Sequence, residues 1–398
     1  MRINGLGCSL IDNLYSPVDF GSEAYKKWSL GNDKGMGIIT GGLVFGEDLE
    51  RSWNRNYEDI LNEITEEKLS ADKNVGGPAI VALINISQII NEAGINLGFY
   101  GARADDENGL YIAEKLDLFN IGLSGYVVVD GITPFTDVLS DPAYNDNNGE
   151  RSFINYIGAA GKISGHDIPS SFFDADILIY GGTALTPGLH DDLSFLLKKG
   201  KEEGCLNFVN TVYDFRNQNL NPDKLWPLVN EDNDFGLIDL LIADNEEALK
   251  ISGQRTKEEA VHFFAEMDVR SVIITHGSEE IFCFSDGTFF TEKTSFRMPV
   301  SESAGSQMRS LPSGYGADTT GCGDNFAGGV YASTALQLKN NINEKPSLKK
   351  AAAWGVVSGG LAGLYQGGVY YEKKHGEKLE KLMLLFEEYK QQTGYSFE

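Results

Sequence analysis

Short apolar runs alternate with helical segments along most of the chain, and this alternation limits the possible folds more than any other feature. The runs end in or beside Gly, Asp, Asn or Thr, which is typical of strands that stop at turns. The strand candidates are residues 97–100, 177–180, 206–209, 240–243 and 272–275, and the helical candidates include residues 109–118 and 189–199. Strands that are separated by helices and buried on both faces are typical of a parallel sheet. The sequence therefore predicts an α/β fold of three layers, in which helices flank a mostly parallel sheet.

A second pattern interrupts this alternation. Residues 37–45 and 125–140 are rich in Ile, Val, Thr and Gly, and residues 151–157 follow with no helical segment before them. Consecutive strands of this kind favour hairpins in a small sheet of their own. We expect this second sheet to lie outside the main one, as a lid or an interface.

The chain is expected to form one domain. This domain would cover residues 1–398, with lid strands from within about 13–50 and 125–157. Residues 301–316 are rich in Ser, Gly and Pro and predict a loop, while the Asn, Asp and Pro of residues 214–234 predict a surface insertion.

One glycine-rich stretch carries the strongest chemical signal. Residues 318–329 read Asp-Thr-Thr-Gly-Cys-Gly-Asp-Asn-Phe-Ala-Gly-Gly. Phe326 and Val330 fall at helical spacing, so a helix begins within the stretch. We expect the side chain of Thr319 or Thr320 to cap the start of this helix.

The backbone at this predicted helix start would form an anion site. The N–H groups of Gly321, Cys322 and Gly323 would point outward without partners, and the helix dipole favours negative charge there. Asp324 stands beside them. Phosphoryl transfer needs both parts, because the amides stabilise the moving phosphoryl group and a carboxylate accepts the proton of the attacking hydroxyl. A glycine turn followed by Asp also opens many helices for structural reasons alone, so other motifs must support the interpretation.

Charge and composition exclude several classes of partner. The formal net charge is −25, and such a surface repels nucleic acid and anionic lipid, so neither is expected as a partner. The sequence has no run of 18 apolar residues and no apolar leader, which predicts a cytoplasmic location.

Its four cysteines are scattered without a Cys-x-x-Cys pair, so neither a disulfide nor a metal cluster is expected. A Walker A sequence is also missing, which excludes P-loop kinases.

Further short motifs precede the glycine-rich stretch in a fixed order. They are Gly7 to Asp12, the pair Gly76-Gly77, Gly-x-x-x-x-Asp-x-x-Gly at 101–109, Asp-Asn-Glu-Glu at 244–247 and Thr-His-Gly at 275–277. Together with Asp-Thr-Thr-Gly-Cys-Gly-Asp at 318–324, this order resembles the PfkB, or ribokinase-like, family of carbohydrate and nucleoside kinases. The resemblance covers nearly the whole chain, and its final motif is the most specific. It implies a ribokinase-like catalytic domain with a small β-sheet lid.

The resemblance also implies an activity and its residues. The protein would transfer the γ-phosphoryl group of ATP to a hydroxymethyl group of a sugar. Asp324 would be the general base, and the amides of Gly321, Cys322 and Gly323 would hold the developing charge. Asp12, Gly76 and Gly77 would bind the sugar. The residues expected to bind the nucleotide are Asp244, Thr275 and Gly277.

Two kinds of cation follow from the same resemblance. Glu247 would act near Mg²⁺ through water, since Mg²⁺ keeps much of its hydration shell. Asp318 and Thr320 would offer oxygens to a monovalent cation, as in family members that bind potassium. The lid strands would close over the small-molecule substrate and exclude water. Exposed lid strands would also favour a homodimer through edge pairing.

Departures from the family pattern keep alternatives open. Val81 stands where the family often has Asn, and Asp244 replaces the first Asn of Asn-x-x-Glu. A non-catalytic module that binds sugar or nucleotide is therefore one alternative. The long region between Asp12 and Gly76 is similar to the nucleoside-kinase branch, so an adenosine-type kinase is another. A Rossmann oxidoreductase fits less well, because Leu10 stands where the third glycine of its fingerprint belongs.

Two carboxylates also have structural interpretations. Asp106 is expected to cap a helix rather than to bind a ligand, and Glu247 lies in a Glu-rich segment where a solvated helix surface is common.

Overall fold

The computed structural model describes residues 1–29, 37–90, 94–147, 149–311, 319–341 and 343–397. In chain order the strands are β1 (Arg2–Gly7), β2 (Leu10–Tyr15), β3 (Leu43–Phe45), β4 (Asp72–Gly76), β5 (Asn96–Arg103), β6 (Ile121–Val128), β7 (Phe135–Asp141), β8 (Glu150–Tyr156), β9 (Ile177–Gly181), β10 (Leu206–Asn210), β11 (Leu240–Asp244), β12 (Ser271–Thr275), β13 (Ile281–Asp286) and β14 (Lys293–Met298). The α-helices are α1 (Glu23–Trp28), α2 (Gly46–Trp53), α3 (Tyr57–Thr65), α4 (Pro78–Ile90), α5 (Glu107–Leu118), α6 (Tyr144–Asn147), α7 (Pro187–Asp191), α8 (Leu193–Glu202), α9 (Phe215–Leu220), α10 (Asn245–Ser252), α11 (Lys257–Glu266), α12 (Glu302–Arg309), α13 (Cys322–Asn340), α14 (Leu348–Ala362) and α15 (Glu377–Thr393). Across the described ranges, every helix is too short or too polar to traverse a lipid bilayer.

The larger sheet has nine strands within the described residues, in the order β14-β13-β12-β11-β10-β9-β1-β5-β6. Neighbours from β12 to β6 run parallel, and β13 and β14 extend the β12 edge as antiparallel strands. Near the middle, Gly5 of β1 pairs with Ile179 of β9 and with Phe99 of β5. Each strand predicted from an apolar run lies in this sheet. The prediction of a mostly parallel α/β sheet is therefore confirmed.

Both faces of the larger sheet are buried at its central strands, which explains their continuous apolar runs. In β9, Ile177 and Ile179 pack on one side with residues of α4, α13 and α14. Leu178 and Tyr180 pack on the other side with residues of α8 and α11. Each buried side chain of this size contributes about 1.5–3 kcal/mol of transfer free energy. Helices on both faces complete the predicted three layers.

Helix α13 is held very close to its neighbours by glycine. A Cβ atom at Gly328 would lie 2.8 Å from the carbonyl oxygen of Ala82 in α4, and one at Gly329 would lie 2.5 Å from the carbonyl oxygen of Trp354 in α14. Any larger residue would push the helices apart. The close packing fixes the position of α13, which begins in the glycine-rich stretch.

The smaller sheet, called the lid sheet below, has the strand order β3-β8-β7-β2-β4. One face carries Leu139 and Ile154, which pack against α1, α2 and α3. The opposite face carries Asp12, Val138 and Arg151, which line a cleft. A sheet with one apolar and one polar face explains why its strands read differently from those of the larger sheet.

The lid strands do not coincide with the ranges expected for them. Strand β4 joins the lid sheet although it lies outside both 13–50 and 125–157. Residues 125–128 belong to β6 and pair with β5 in the larger sheet. The expectation rests on the Ile, Val, Thr and Gly content of residues 125–140, which does not separate the end of β6 from β7 in the lid sheet.

Two predicted irregular segments are more ordered than expected. The loop predicted at 301–316 contains α12, which starts where the Oγ of Ser301 accepts a hydrogen bond from the amide of Ala304 at 3.2 Å. Residues 312–316 lie outside the described residues. The surface insertion predicted at 214–234 buries Trp226 and Leu228 in the core beside the larger sheet. The prediction of a surface insertion is wrong because its few apolar side chains are spaced among polar residues and so form no apolar run.

Candidate active site

The start of α13 differs from the prediction. Its N-cap is Gly321, with φ +72, and no side chain caps the helix, so the expectation of a Thr319 or Thr320 cap is wrong. A Cβ atom at position 321 would lie 2.6 Å from the Cα of Gly368. Tertiary packing therefore requires glycine here twice, for its left-handed conformation and for this close approach. Residues 319–323 are called the anion loop below.

Two amides of the anion loop are open. The N–H of Cys322 donates to the carbonyl oxygen of Thr319 at 3.2 Å, so the expectation of an unpaired amide is wrong for Cys322. The N–H groups of Gly321 and Gly323 have no acceptor among the described residues. A Cβ atom at Gly323 would meet nothing within 4 Å, so space lies in front of it. Two amides at the positive end of a 19-residue helix therefore remain available to an anion.

Asp324 lies in the first turn of α13, beside these amides. Its side chain is partly exposed, and it has no hydrogen bond or ion pair with any described residue. Burial of the carboxyl group raises the pKa of Asp324 to about 7. A carboxylate without partners and with a pKa near neutrality is suited to general-base catalysis.

Glu247 forms a capping box at the start of α10. Its amide donates to Oδ1 of Asp244 at 3.0 Å, and its Oε2 accepts from the amide of Asp244 at 3.1 Å and from the hydroxyl of Thr211 at 2.5 Å. Burial, together with the charges of Asp244 and Asp324, raises the pKa of Glu247 to about 7. Glu247 is therefore not a solvated surface residue. It lies close enough to Asp324 for the two charges to interact.

Asp244 and Thr275 end two neighbouring parallel strands. They pair in register across β11 and β12, and the hydroxyl of Thr275 donates to the carbonyl oxygen of Ala243 at 3.5 Å. Gly277 follows with φ +52, and a Cβ atom there would meet nothing within 4 Å. Ligands of open α/β sheets bind outside the carboxyl ends of the strands. The three predicted nucleotide residues thus share this edge with Glu247.

The predicted substrate residues meet at the junction of the two sheets. Asp12 lies within β2 of the lid sheet and pairs with Asn74 of β4. A Cβ atom at Gly76 would lie 2.3 Å from Oδ2 of Asp12, and one at Gly77, which has φ +107, would lie 2.3 Å from the carbonyl oxygen of Cys8. Glycine is therefore required at both positions for close approach.

A cleft connects the lid sheet to the anion loop. Its lining residues are Asp12, Leu14, Asp72, Asn74, Val138, Arg151, Thr320, Gln366 and Gly367. The cleft brings Asp12 and Thr320 together, as the order of motifs implied. Asp318, the other residue expected to bind a monovalent cation, lies outside the described residues.

Sequence reasoning missed two parts of this cleft. Arg151 adds a cation to the lining of the cleft, and its signal in the sequence is a basic residue inside a predicted lid strand of an acidic chain. The second part is the loop 363–370, called the glycine loop below, which contributes Gly367 to the cleft. The glycine loop also accounts for the apolar residue at position 81, because Val81 packs against it. A Cβ atom at Gly368 would lie 3.0 Å from a methyl group of Val81.

Asp106 has the structural role that was expected. Its carboxylate accepts from the amide of Gly109 at 2.8 Å and so caps α5. It also accepts from the amide and the hydroxyl of Thr133, at 2.8 and 2.6 Å. Thr133 lies between β6 and β7, so this carboxylate fixes the connection into the lid sheet.

Solved structures with a similar fold include two adenosine kinases and a putative ribokinase. Adenosine kinase from Schistosoma mansoni in complex with 2-fluoroadenosine is 18% identical, with a TM-score of 0.66 over 93% of this chain and 97% of that chain. Adenosine kinase from Sinorhizobium meliloti is 15% identical, with a TM-score of 0.67 over 96% and 99%. A putative ribokinase II from E. coli in complex with ATP and Mg²⁺ is 16% identical, with a TM-score of 0.63 over 96% and 99%. At these identities the likeness shows the fold, which is ribokinase-like.

The sequence identifies the family directly. Residues 43–371 match the pfkB family of carbohydrate kinases, so the chain belongs to that family. Its members are phosphotransferases that act on hydroxyl groups, which confirms the predicted enzyme class and the resemblance. No curated protein matches the chain.

Proposed function

We propose that this protein transfers the γ-phosphoryl group of ATP to a hydroxymethyl group of a sugar. One observation carries the proposal: the carboxylate of Asp324 has no partner among the described residues and lies beside the open amides of Gly321 and Gly323. A proton acceptor and an anion site in one place are the two parts that phosphoryl transfer requires.

Asp324 and the anion loop have separate tasks. Asp324 accepts the proton of the attacking hydroxyl as the bond to phosphorus forms. The amides of Gly321 and Gly323 stabilise the charge on the equatorial oxygens of the transferring group, and the dipole of α13 adds to their effect. Cys322 contributes through the turn that its own amide closes rather than through an open N–H group. Most of the barrier reduction comes from positioning and charge stabilisation, since the reaction needs little covalent chemistry from the protein.

The nucleotide is assigned to the carboxyl edge of β11 and β12. This edge carries Asp244, Thr275 and Gly277. It lies near the start of α13, because the charge of Glu247 interacts with those of both Asp244 and Asp324. The E. coli relative was solved with ATP and Mg²⁺, which supports the same pair of ligands here. The raised pKa of Glu247 and of Asp324 fits a dication, because a positive charge would relieve the cost of two buried carboxylates. Mg²⁺ held by Glu247 through water would neutralise phosphate charge when bound.

The acceptor is assigned to the cleft under the lid sheet. The carboxylate of Asp12 offers an acceptor for a sugar hydroxyl, and Gly76 and Gly77 allow a close approach of the backbone. Asn74 supports this wall of the cleft, since its Nδ2 atom donates to the carbonyl oxygens of Gln366 and Val369. Arg151 supplies a cation near the phosphates, which a chain of net charge −25 needs locally. A monovalent cation at Thr320 and Asp318, and a homodimer through the edges of the lid sheet, remain predictions.

An adenosine-type nucleoside kinase is the second candidate. A larger cavity of about 830 Å³ lies at the edge of the lid sheet and is lined by Phe45, Tyr156 and Ile157, among others. Aromatic and apolar walls of this kind suit a nucleobase. The fold shared with two adenosine kinases is compatible with this second acceptor.

A panel of acceptors tests the proposal and separates the two candidates. The purified protein is incubated with MgATP and single sugars or nucleosides, and ADP release is measured for each. We expect release that depends on a sugar with a free hydroxymethyl group. ADP release with adenosine but with none of the sugars would favour the second candidate. Binding of sugar and nucleotide without any turnover would overturn both and favour a non-catalytic module.

A further inference from the structure

Lys378 is fully buried and has no part in the mechanism above. Its side chain is 0% exposed, and it is the second residue of α15. Its Nζ atom donates a hydrogen bond to Oδ1 of Asn325 at 2.8 Å. Burying an amino group costs free energy unless its partners compensate, so lysine is rarely found at such depth. Asn325 directly follows Asp324 in the sequence.

Asn325 connects the anion loop to the glycine loop. Its Nδ2 atom donates to the carbonyl oxygen of Gly321 at 2.9 Å and to that of Gly368 at 2.8 Å. Its Oδ1 atom accepts from the hydroxyl of Tyr365 at 3.2 Å as well as from Lys378. One side chain thus bridges two loops, and two donors hold it from the opposite end.

The rest of Asn325 is fixed as well. Its amide donates to the carbonyl oxygen of Gly321 at 2.9 Å, and its carbonyl oxygen accepts from Nδ2 of Asn85 at 2.8 Å. Because the backbone is held, the position of Oδ1 decides where the Nδ2 atom points. A donor at Oδ1 also polarises the amide and strengthens the bonds that Nδ2 makes.

We propose that Lys378 is a positioning residue of the phosphoryl-transfer site: its amino group orients Asn325, and Asn325 holds Gly321 and Gly368 together. The open N–H groups of Gly321 and Gly323 then keep a fixed orientation beside Asp324. This proposal rests on the proposed function. It assigns Lys378 no contact with the substrate, and its effect on the reaction passes through Asn325.

The charges around Lys378 agree with this role. Burial lowers the pKa of Lys378 to about 7, and the carboxylate of Glu372 opposes that change. Its amide also donates to Oε1 of Glu372 at 2.8 Å, and its Nζ lies 5.8 Å from the centre of the Tyr365 ring. The amino group donates to Asn325 in either protonation state, so the tether does not depend on titration.

The test compares Lys378→Met with Lys201→Met. Lys201 pairs with Asp239, which precedes β11 at the edge of the sheet opposite the cleft, so it is a matched control for the loss of a lysine. The Lys378 variant is expected to fold, because methionine is apolar and similar in size to lysine, and Oδ1 of Asn325 keeps the hydroxyl of Tyr365 as a donor. Two readouts are taken, steady-state kinetics and hydrogen exchange of residues 319–326 and 363–370.

We expect Lys378→Met to lower kcat by about ten- to a hundredfold, since small misplacements of catalytic groups have effects of this size. The KM for ATP should hardly change, because Asp244, Thr275 and Gly277 are untouched. Amides of both loops should exchange faster than in the wild type, whereas Lys201→Met should leave kcat and both loops unchanged. In an Asn325→Ala background, Lys378→Met should have no further effect on kcat, because both changes break one tether.

Other results would overturn the proposal. Wild-type kcat and loop exchange in Lys378→Met would show that the amino group positions nothing. A further loss of kcat in the Asn325→Ala background would show that Lys378 acts by another route. Hydrogen exchange needs no turnover, so it tests the tether even if no acceptor is phosphorylated and the proposed function fails.

Discussion

Asp324 combines partial exposure with a pKa near neutrality, and it reaches this state in the first turn of α13. The helix start supplies amides rather than side chains, and no described cation pairs with the carboxylate. A catalytic base needs an ionisable group that the fold has left uncompensated. Such a group costs stability, because the folded state disfavours its charged form.

Asp324→Asn should therefore stabilise the protein in a pH-dependent way. The folded pKa of about 7 lies above the ordinary value of 3.8, so the folded state binds a proton more tightly than the unfolded state between those values. The cost of ionisation is absent below about pH 4 and complete above about pH 7. A shift of this size corresponds to about 4 kcal/mol, and partial exposure reduces the expected gain to about 1–3 kcal/mol.

Urea unfolding of both proteins at pH 4 and pH 8 checks this prediction. Asp324→Asn should unfold at higher urea than the wild type at pH 8 and at the same concentration at pH 4. Equal midpoints at pH 8 would mean that Asp324 is not desolvated.

At the scale of elements, α13 determines the geometry of the site. It lies between α4 and α14, and glycine makes both contacts possible. The packing that fixes the position of α13 therefore also fixes the position of the anion loop. The lid sheet supplies the other wall of the cleft through β2, β4, β7 and β8.

Gly328→Ala should destabilise the protein and impair turnover. Its new methyl group would lie 2.8 Å from the backbone of α4, so the helices must separate. Overpacking of this kind costs about 1–3 kcal/mol. Gly305→Ala is the matched control, because its methyl group would meet only the far end of Arg309 at 3.4 Å and alanine favours a helix. Urea midpoints should fall for the first variant and rise for the second, and a rise for both would contradict the packing account.

At the scale of the whole molecule, the larger sheet could be predicted because its strands are buried on both faces and stand out as apolar runs. The roles proposed for Asp324 and Glu247 rest on motifs that are local in sequence, so the sequence alone could suggest them. The cap at Gly321 could not, because the contact that decides it comes from Gly368. The tether from Lys378 to Asn325 spans 53 residues and joins two helices, so no local pattern encodes it. Arg151 could not be predicted for the same reason, since only the folded chain brings it into the same cleft as Thr320.

The central claim is that an unpaired carboxylate beside open amides transfers a phosphoryl group, and the turnover of Asp324→Asn tests it most directly. The control is Asp117→Asn, an exposed residue of α5 away from the cleft. With the acceptor found in the panel, Asp324→Asn should bind ATP and acceptor normally and lose at least about a hundredfold in kcat, while the control keeps its activity. Turnover near the wild-type rate in Asp324→Asn would contradict the account.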